Sequence, residues 1–168
     1  MLTLVYGGSG SGKSEYAEML CGKENGKRYY IATMQPYGEE AKQRIARHKT
    51  MRAGKGFVTI EQYVDIHNAL QETVDVALVE CLSNLVANEM FGEAEHENTT
   101  EYILTSMEKL QQKTKQLVVV TNDVFSDGIV YNKMTMDYRK VLADVNCRMA
   151  KKADRIYEVV FGIGLKVK

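Results

Sequence analysis

Cysteine and proline are scarce in this sequence of 168 residues, and their scarcity limits the classes of protein to which it can belong. The three cysteines, Cys21, Cys81 and Cys147, are odd in number, far apart and without C-x-x-C spacing. A disulfide framework or a zinc site is therefore not expected, and the cysteines favour a reducing, cytoplasmic location. The single proline, Pro36, gives no sign of a linker, so one domain spanning residues 1–168 is predicted.

Long apolar runs and an excess of one charge are also absent. No apolar run approaches the length of a membrane-spanning helix, and residues 1–6 do not have the form of a signal peptide. The 22 Lys and Arg residues balance the 22 Asp and Glu residues, so no overall field would attract nucleic acid or an anionic membrane. The sequence therefore predicts neither a membrane span nor a nucleic-acid partner, and any basic patch must be local.

Short strands alternate with helical segments along the chain. Residues 76–79 and 117–120 are continuous apolar runs rich in valine, as is typical of central strands in a parallel sheet, and residues 100–115 between them have helical spacing. Residues 155–161 and 165–168 are two strands only three residues apart, which predicts an antiparallel hairpin. The pattern predicts an α/β fold with a doubly wound, mostly parallel sheet and an antiparallel hairpin at its C-terminal edge. Further strands are predicted at residues 2–6, 28–33 and 57–60, and further helices at residues 13–21, 39–52 and 135–152.

A glycine-rich motif follows the first strand and opens the first helix. It matches the P-loop pattern G-x-x-x-x-G-K-[ST] and consists of Gly7, Gly8, Ser9, Gly10, Ser11, Gly12, Lys13 and Ser14. Glycines let the backbone amides turn towards phosphate oxygens, and the following helix adds its positive end. Lys13 would reach the β- and γ-phosphates of a nucleoside triphosphate, and Ser14 would ligate Mg²⁺. The motif predicts a P-loop NTPase-like phosphotransferase.

Acidic and amide side chains follow the two central strands. Glu80 ends the apolar run at 76–79, as in the Walker B pattern, where a carboxylate holds the water shell of the metal. A carboxylate that only caps a strand or the next helix is the alternative. Asn122 and Asp123 follow the second run, where open α/β sheets gather ligands, although such residues are equally common in turns. The metal site is assigned to Ser14 and Glu80, and the roles of Asn122 and Asp123 stay open.

A local basic segment contains a candidate nucleophile. Residues 41–60 include no acid but six Lys and Arg residues and His48. In a helix, Arg44, His48 and Arg52 would stack on one face, and their repulsion would be relieved by an anion. A neutral imidazole is a competent nucleophile towards phosphorus, and the neighbouring cations would stabilise the developing charge. A solvated surface histidine is the alternative for His48.

Several segments together resemble one family, the bifunctional adenosylcobinamide kinase / adenosylcobinamide-phosphate guanylyltransferase of cobalamin biosynthesis. They occur in the order found in that family and span nearly the whole chain. The segments are the P-loop GGSGSGKS, residues 30–33, 44–49, 59–61, 79–85 and 120–124, Arg139, Asn146, residues 153–154 and residues 162–168.

The resemblance implies two reactions. ATP or GTP phosphorylates the aminopropanol hydroxyl of adenosylcobinamide, and GTP then guanylylates a histidine, which passes GMP to adenosylcobinamide phosphate. The family's histidine falls on His48. The resemblance also implies a homotrimer with a shared transferase site, and additional contacts to GTP. Those contacts are Ala32, Thr33, Met34, Lys49, Thr50, Met51, Arg52 and Glu61.

The chain departs from the family pattern after the second apolar run. The family usually has Glu and then Val-Gly where this chain has Asp123, Val124 and Phe125. The usual Gly-Ile-Val-Pro ends here in Tyr131 instead of proline. Asp123 keeps a carboxylate on a shorter side chain, whereas Phe125 replaces a flexible glycine. Both departures fall near the side on which the resemblance implies the corrinoid.

Two other functions are compatible with the same motifs. One is a P-loop small-molecule kinase of another pathway, in which His48 takes no part. The other is a nucleotide-gated switch without enzymatic function. Only a guanylyltransferase of this family would keep GMP bound covalently after denaturation.

Overall fold

Strands and helices alternate along the computed structural model, which describes residues 1–22, 26–93 and 96–168. The strands are β1 (Leu2–Gly7), β2 (Arg28–Ala32), β3 (Val58–Glu61), β4 (Val74–Glu80), β5 (Thr114–Asn122), β6 (Arg155–Val160) and β7 (Ile163–Lys166). The helices are α1 (Lys13–Leu20), α2 (Gly38–Arg52), α3 (Leu82–Phe91), α4 (Thr99–Gln112) and α5 (Lys133–Lys152), with a 3₁₀ turn at Ile66–Asn68.

The strands form one seven-stranded sheet in the order β3-β2-β4-β5-β1-β6-β7. Every pairing is parallel except that of β6 with β7, which is antiparallel. The predicted doubly wound, mostly parallel sheet with an antiparallel edge hairpin is therefore confirmed. Because parallel strands point the same way, the ends of β1, β2, β4 and β5 meet at one edge of the sheet.

The central strands are buried on both faces. In β5, Leu117 and Val119 pack into the larger core cluster, whereas Val118 and Val120 pack into the smaller cluster on the opposite face. This alternation follows from the two-residue period of a strand, and it explains why the run reads as continuous valine in the sequence.

The helices cover the two faces unequally. The larger core cluster receives apolar side chains from α3, α4 and α5, and the smaller one receives Ala17 of α1. Asn98 and Asn132 cap α4 and α5 by accepting hydrogen bonds from Glu101 N and Thr135 N, at 3.2 and 2.9 Å. No helix within the described ranges is both long and apolar enough to cross a membrane.

Some boundaries differ from the sequence prediction. The helix predicted at 100–115 ends at Gln112, and Thr114 already belongs to β5. The hairpin prediction placed the second strand at 165–168, but β7 begins at Ile163 after the two-residue turn Phe161–Gly162. Gly164 lies inside this strand. The residue at that position has no side chain because the ring of Tyr16 occupies the space that a side chain would fill. Helix α3 was not predicted at all.

Candidate active site

A cavity of about 510 Å³ opens at the edge where β1, β2, β4 and β5 end. The P-loop forms one wall and helix α2 forms the other. Thirteen of the predicted site residues line it: Ser9, Gly10, Gly12, Lys13, Ser14, Ala32, Met34, His48, Lys49, Met51, Arg52, Glu61 and Glu80.

The P-loop holds its lysine close to its own backbone. Lys13 is only 8% exposed, and its Nζ donates a hydrogen bond of 2.9 Å to Gly8 O. Burial lowers the pKa of Lys13, while Cys81 and Glu80 act in the opposite direction. Gly12, the residue before α1, has φ +87 and no side chain to cap the helix, so the first amides of α1 face the loop. This arrangement is suited to binding phosphate groups.

The P-loop is braced by two distant segments of the chain. Asp123 N donates to Gly7 O at 3.0 Å, and Gly162 N donates to Ser11 O at 2.7 Å. A Cβ atom on Gly12 would lie 2.9 Å from Gly162 Cα, a contact closer than the two backbones allow. Glycine at position 12 is therefore required both by its positive φ and by the hairpin turn.

A carboxylate from β4 reaches the serine of the P-loop. The Ser14 hydroxyl donates a hydrogen bond to Glu80 Oε1, and Glu80 Oε2 is buried without a partner. Within the described residues, no group of three His, Cys, Asp or Glu side chains is placed to hold a metal ion. Ser14 and Glu80 would therefore contribute only part of a Mg²⁺ shell, the rest being water and nucleotide oxygens, as Mg²⁺ usually prefers. The unpaired oxygen of Glu80 fits that role.

Helix α2 contacts the cavity through three side chains near its C-terminal end. His48 Nδ1 lies 3.7 Å from Glu80 Oε1, and Lys49 Nζ lies 3.0 Å from Glu61 Oε1. The Arg52 guanidinium lies 3.5 Å from the centroid of the Tyr30 ring. Arg44 also lines the cavity, so the predicted face of Arg44, His48 and Arg52 points at the P-loop.

Arg52 is the most confined of these cations. It is 7% exposed, and its Nε and Nη1 atoms have no hydrogen-bond partner. Unpaired donors of a buried guanidinium are costly unless an anion binds them. Burial chiefly raises the pKa of Tyr30, so its hydroxyl keeps its proton beneath the Arg52 cation. Arg52 also lines the cavity, so this cation is placed to stabilise an anionic ligand there.

Five of the predicted site residues do not line the cavity: Gly7, Gly8, Ser11, Thr33 and Thr50. Thr33 is fully buried, and its hydroxyl donates to Cys81 O at 2.8 Å and accepts from Cys81 N at 2.7 Å. Thr50 is exposed, and its hydroxyl donates to Ala46 O within α2 at 3.1 Å. Thr33 thus joins β2 to the end of β4, which positions Glu80.

Several cavity residues, among them Tyr30, Asn84 and Asn122, were not singled out by the sequence or were left open. Tyr30 was predicted only as part of a strand and of a resembling segment, and Asn84 only as part of a resembling segment. Asn122, whose role stayed open, lines the cavity and donates to Ser83 Oγ at 2.7 Å. Its neighbour Asp123 accepts from Phe125 N at 3.0 Å and acts as a turn residue. Asn122 is the last residue of β5 and Asp123 lies beyond it. Knowing where β5 ends would therefore have assigned Asn122 to the cavity and Asp123 to the turn.

Comparison with known proteins gives two kinds of similarity. Residues 3–167 match the model of the family described as CobU: cobinamide kinase / cobinamide phosphate guanyltransferase. The chain is 31% identical over its full length to the complete bifunctional adenosylcobalamin biosynthesis protein CobU of Salmonella typhimurium, and 29% identical, again with full coverage of both chains, to the Escherichia coli protein of the same name. A type III secretion ATPase structure matches 98% of this chain and 56% of its own, with a TM-score of 0.54 at 12% identity. That likeness concerns the fold alone.

Proposed function

Because the chain belongs to the cobinamide kinase / cobinamide phosphate guanyltransferase family, we propose that both reactions use the one cavity and that the second passes through GMP bound covalently to His48. The chain is a nucleotide-binding transferase of cobalamin biosynthesis, an adenosylcobinamide kinase and adenosylcobinamide-phosphate guanylyltransferase.

In the kinase step, the P-loop binds ATP or GTP, with Lys13 against the β- and γ-phosphates. The aminopropanol oxygen of adenosylcobinamide attacks the γ-phosphorus and gives up its proton, the bond to the β-phosphate oxygen breaks, and a nucleoside diphosphate leaves. Bound Mg²⁺ would supply charge neutralisation at the transferring phosphate. Ser14 and Glu80 would hold it, a role supported by the unpaired, buried Glu80 Oε2.

In the transferase step, His48 attacks the α-phosphorus of GTP. The observation that carries this proposal is the 3.7 Å distance between His48 Nδ1 and Glu80 Oε1, since Glu80 also contacts Ser14 of the P-loop. A proton on Nδ1 facing this carboxylate leaves Nε2 free as the nucleophile. The bond from the α-phosphorus to the bridging oxygen breaks, and pyrophosphate leaves.

The cations of α2 stabilise the charge that this attack develops. Arg44 and Arg52 line the cavity on the face that carries His48, and Arg52 has unpaired donors. Adenosylcobinamide phosphate then attacks the α-phosphorus, the N–P bond breaks, and adenosylcobinamide-GDP is formed with His48 regenerated. Of the residues implied by resemblance, Ala32, Met34, Lys49, Met51 and Glu61 line the nucleoside end of the same cavity in this proposal.

The histidine intermediate is tested by labelling. The protein is incubated with GTP labelled at the α-phosphate, denatured, and digested to map the label. We expect a phosphoramidate on His48 that is labile in acid, stable in alkali and discharged by adenosylcobinamide phosphate. His48→Ala should remove the label and leave the kinase step intact. The control is His67→Asn, because His67 lies outside the cavity with its Nδ1 3.1 Å from Ser106 Oγ. Label on another residue, or no label despite bound GTP, would leave a plain P-loop kinase as the better account.

The metal role of Glu80 is tested separately. Glu80→Gln keeps the side-chain shape and should spare nucleotide binding while slowing both Mg²⁺-dependent reactions by roughly 10- to 100-fold. Glu72→Gln serves as the control, since Glu72 forms an exposed ion pair with Lys27. Equal rates for Glu80→Gln and the unmodified protein at saturating Mg²⁺ would exclude the metal role.

The assembly is proposed from the family resemblance. We expect residues 1–168 to act as one domain, in a cytoplasmic homotrimer whose transferase site is shared between subunits. Light scattering measures the mass directly. A mass near that of one 19.0 kDa chain would contradict the shared site.

A further inference from the structure

The segment that follows β5 leaves the sheet beside the phosphate that is to be transferred. At the end of β5, Asn122 is paired with Gly7 of β1 on one side, while Val120 is paired with Glu80 of β4 on the other. Asp123 N then donates to Gly7 O at 3.0 Å. The next residues therefore emerge between the P-loop and Glu80, which is the position of the γ-phosphate in the proposed function.

Polar contacts hold this segment in a defined shape. Arg139 of α5 donates to Phe125 O at 3.1 Å and to Ile129 O at 3.4 Å, and its guanidinium lies 5.2 Å from the centroid of the Tyr131 ring. The Tyr131 hydroxyl donates to Asp127 Oδ2 at 2.6 Å. Arg139 thus holds the backbone of the segment at two positions, and its guanidinium also lies over the rings of Phe125 and Tyr131.

The ordered segment nevertheless turns apolar side chains to solvent. Val130 is 94% exposed, and Ile129 and Met134 are more than half exposed. Phe125 and Met136 are also exposed. Exposed apolar side chains on a segment that polar contacts hold in place, close to a polar cavity, are typical of a binding surface.

We propose that residues 123–136, here called the acceptor platform, bind the macrocycle of the corrinoid acceptor during both reactions. The proposal rests on the proposed function, which supplies the corrinoid as substrate. A corrin ring is a broad macrocycle bearing methyl groups and carboxamide arms, so its methyl-rich edge suits the exposed side chains of Ile129 and Val130. The cavity itself is lined by cations and carboxylates and has the size of a single-ligand site. With nucleotide inside it, the macrocycle lies at its rim, and its aminopropanol arm reaches inward past Asn122.

The test separates acceptor binding from nucleotide chemistry. In the double variant Ile129→Ser/Val130→Ser, the KM for adenosylcobinamide in the ATP-dependent kinase step should rise roughly 10- to 100-fold through lost apolar contact. The yield of GMP-labelled His48 from GTP alone should stay unchanged, because that reaction needs no corrinoid. The single variant Val130→Ser should raise the KM less, and it serves if the double variant is poorly folded. Met19→Ser, an exposed apolar residue on the outer side of α1, is the matched control and should leave the KM unchanged.

Two results would overturn the acceptor platform. One is a KM within twofold of the unmodified protein for both variants. The other is a change in oligomeric mass that accompanies the loss of activity, since the apolar surface would then be a contact between subunits. Absence of labelled His48 in the unmodified protein would instead count against the proposed transferase step. It would not count against the acceptor platform, because the KM for adenosylcobinamide is measured in the ATP-dependent kinase step.

Discussion

The two walls of the cavity differ in how firmly the fold holds them. The P-loop is bonded to the start of the acceptor platform through Gly7 and to the hairpin turn through Ser11. Helix α2 has 15 residues, and of these only Arg52 is buried. It touches the rest of the site mainly through side-chain contacts of His48, Lys49 and Arg52.

This difference separates a preformed half of the site from a half that depends on its ligand. The P-loop reaches its final geometry through backbone hydrogen bonds that need no nucleotide. Helix α2 gathers cations on one face, and like charges at a spacing of four residues destabilise a helix that has little tertiary packing. We therefore expect triphosphate binding to depend on the first half and the ordering of His48 to depend on bound phosphate.

The largest effect is expected from removing the buried lysine of the preformed half. Lys13→Ala should weaken triphosphate binding roughly 100-fold or more, since a buried charged partner of the phosphates is lost. Both reactions should fall with it. Lys42→Ala on α2 is the control, because Lys42 is exposed and pairs with Glu39 of the same helix. Titration calorimetry measures the affinity, and a change of only a few-fold for Lys13→Ala would refute the P-loop assignment.

A matched pair of glycine substitutions compares the two halves directly. Gly12→Ala and Gly54→Ala both place a side chain at positive φ, but only the first meets backbone, at Gly162 Cα. Gly12→Ala should lower the free energy of unfolding by about 3 kcal/mol, from strain and overlap together. Gly54→Ala, just after α2, should lower it by about 1 kcal/mol. Urea unfolding measures both, and equal losses would mean that the hairpin does not brace the loop.

Hydrogen exchange tests the dependence of α2 on ligand. Without nucleotide, amides of α2 should exchange faster than those of α4, whose inner face is buried. GTP should slow exchange in α2 by roughly tenfold or more, because the phosphates neutralise the cationic face. The same experiment on Lys13→Ala should show no slowing. If the amides of α2 already exchange slowly without nucleotide, this helix belongs to the preformed half of the site.

The smallest effect concerns the pH dependence of stability. The pKa of Lys13 lies below its usual value of 10.5, mainly because the amine is buried. Between the lowered pKa and 10.5, the unfolded chain holds a proton that the folded chain has lost, so the free energy of unfolding should rise with pH. Lys13→Met should remove this rise in urea titrations without nucleotide, whereas Lys42→Met should keep it. An identical profile for Lys13→Met would mean that the buried amine does not contribute.

The preformed half was also the more predictable from sequence. Its strand, turn and helix are contiguous, so the spacing of the glycines, Lys13 and Ser14 carries most of the geometry. The cationic face of α2 was predictable for the same reason, since helical periodicity places Arg44, His48 and Arg52 together. The valine-rich runs likewise predicted the central strands, because burial on both faces requires a continuous apolar sequence.

What the sequence could not give were contacts between distant segments. Nothing near Tyr30 indicates that Arg52 stacks on its ring, and nothing near Ser11 indicates a bond from Gly162. Helix α3 was missed because Leu82–Phe91 is apolar over much of its length and is buried against the sheet, so it lacks a clear amphipathic signal. The second strand of the hairpin was predicted to begin at residue 165, because nothing in the sequence shows that Gly164 lies inside a strand and makes room for Tyr16. Each of these depends on a partner that is remote in the chain.

The bond from Gly162 to Ser11 has a consequence for the order in which the protein is made. A ribosome synthesises the P-loop early and the hairpin turn late, so a nascent chain carries the whole phosphate-binding motif long before its brace exists. Until β6 and β7 are added beside β1, the loop lacks one of its backbone bonds, and Gly12 lacks the neighbour that fixes its position. A chain truncated before the hairpin should therefore bind nucleotide more weakly than the chain that contains it.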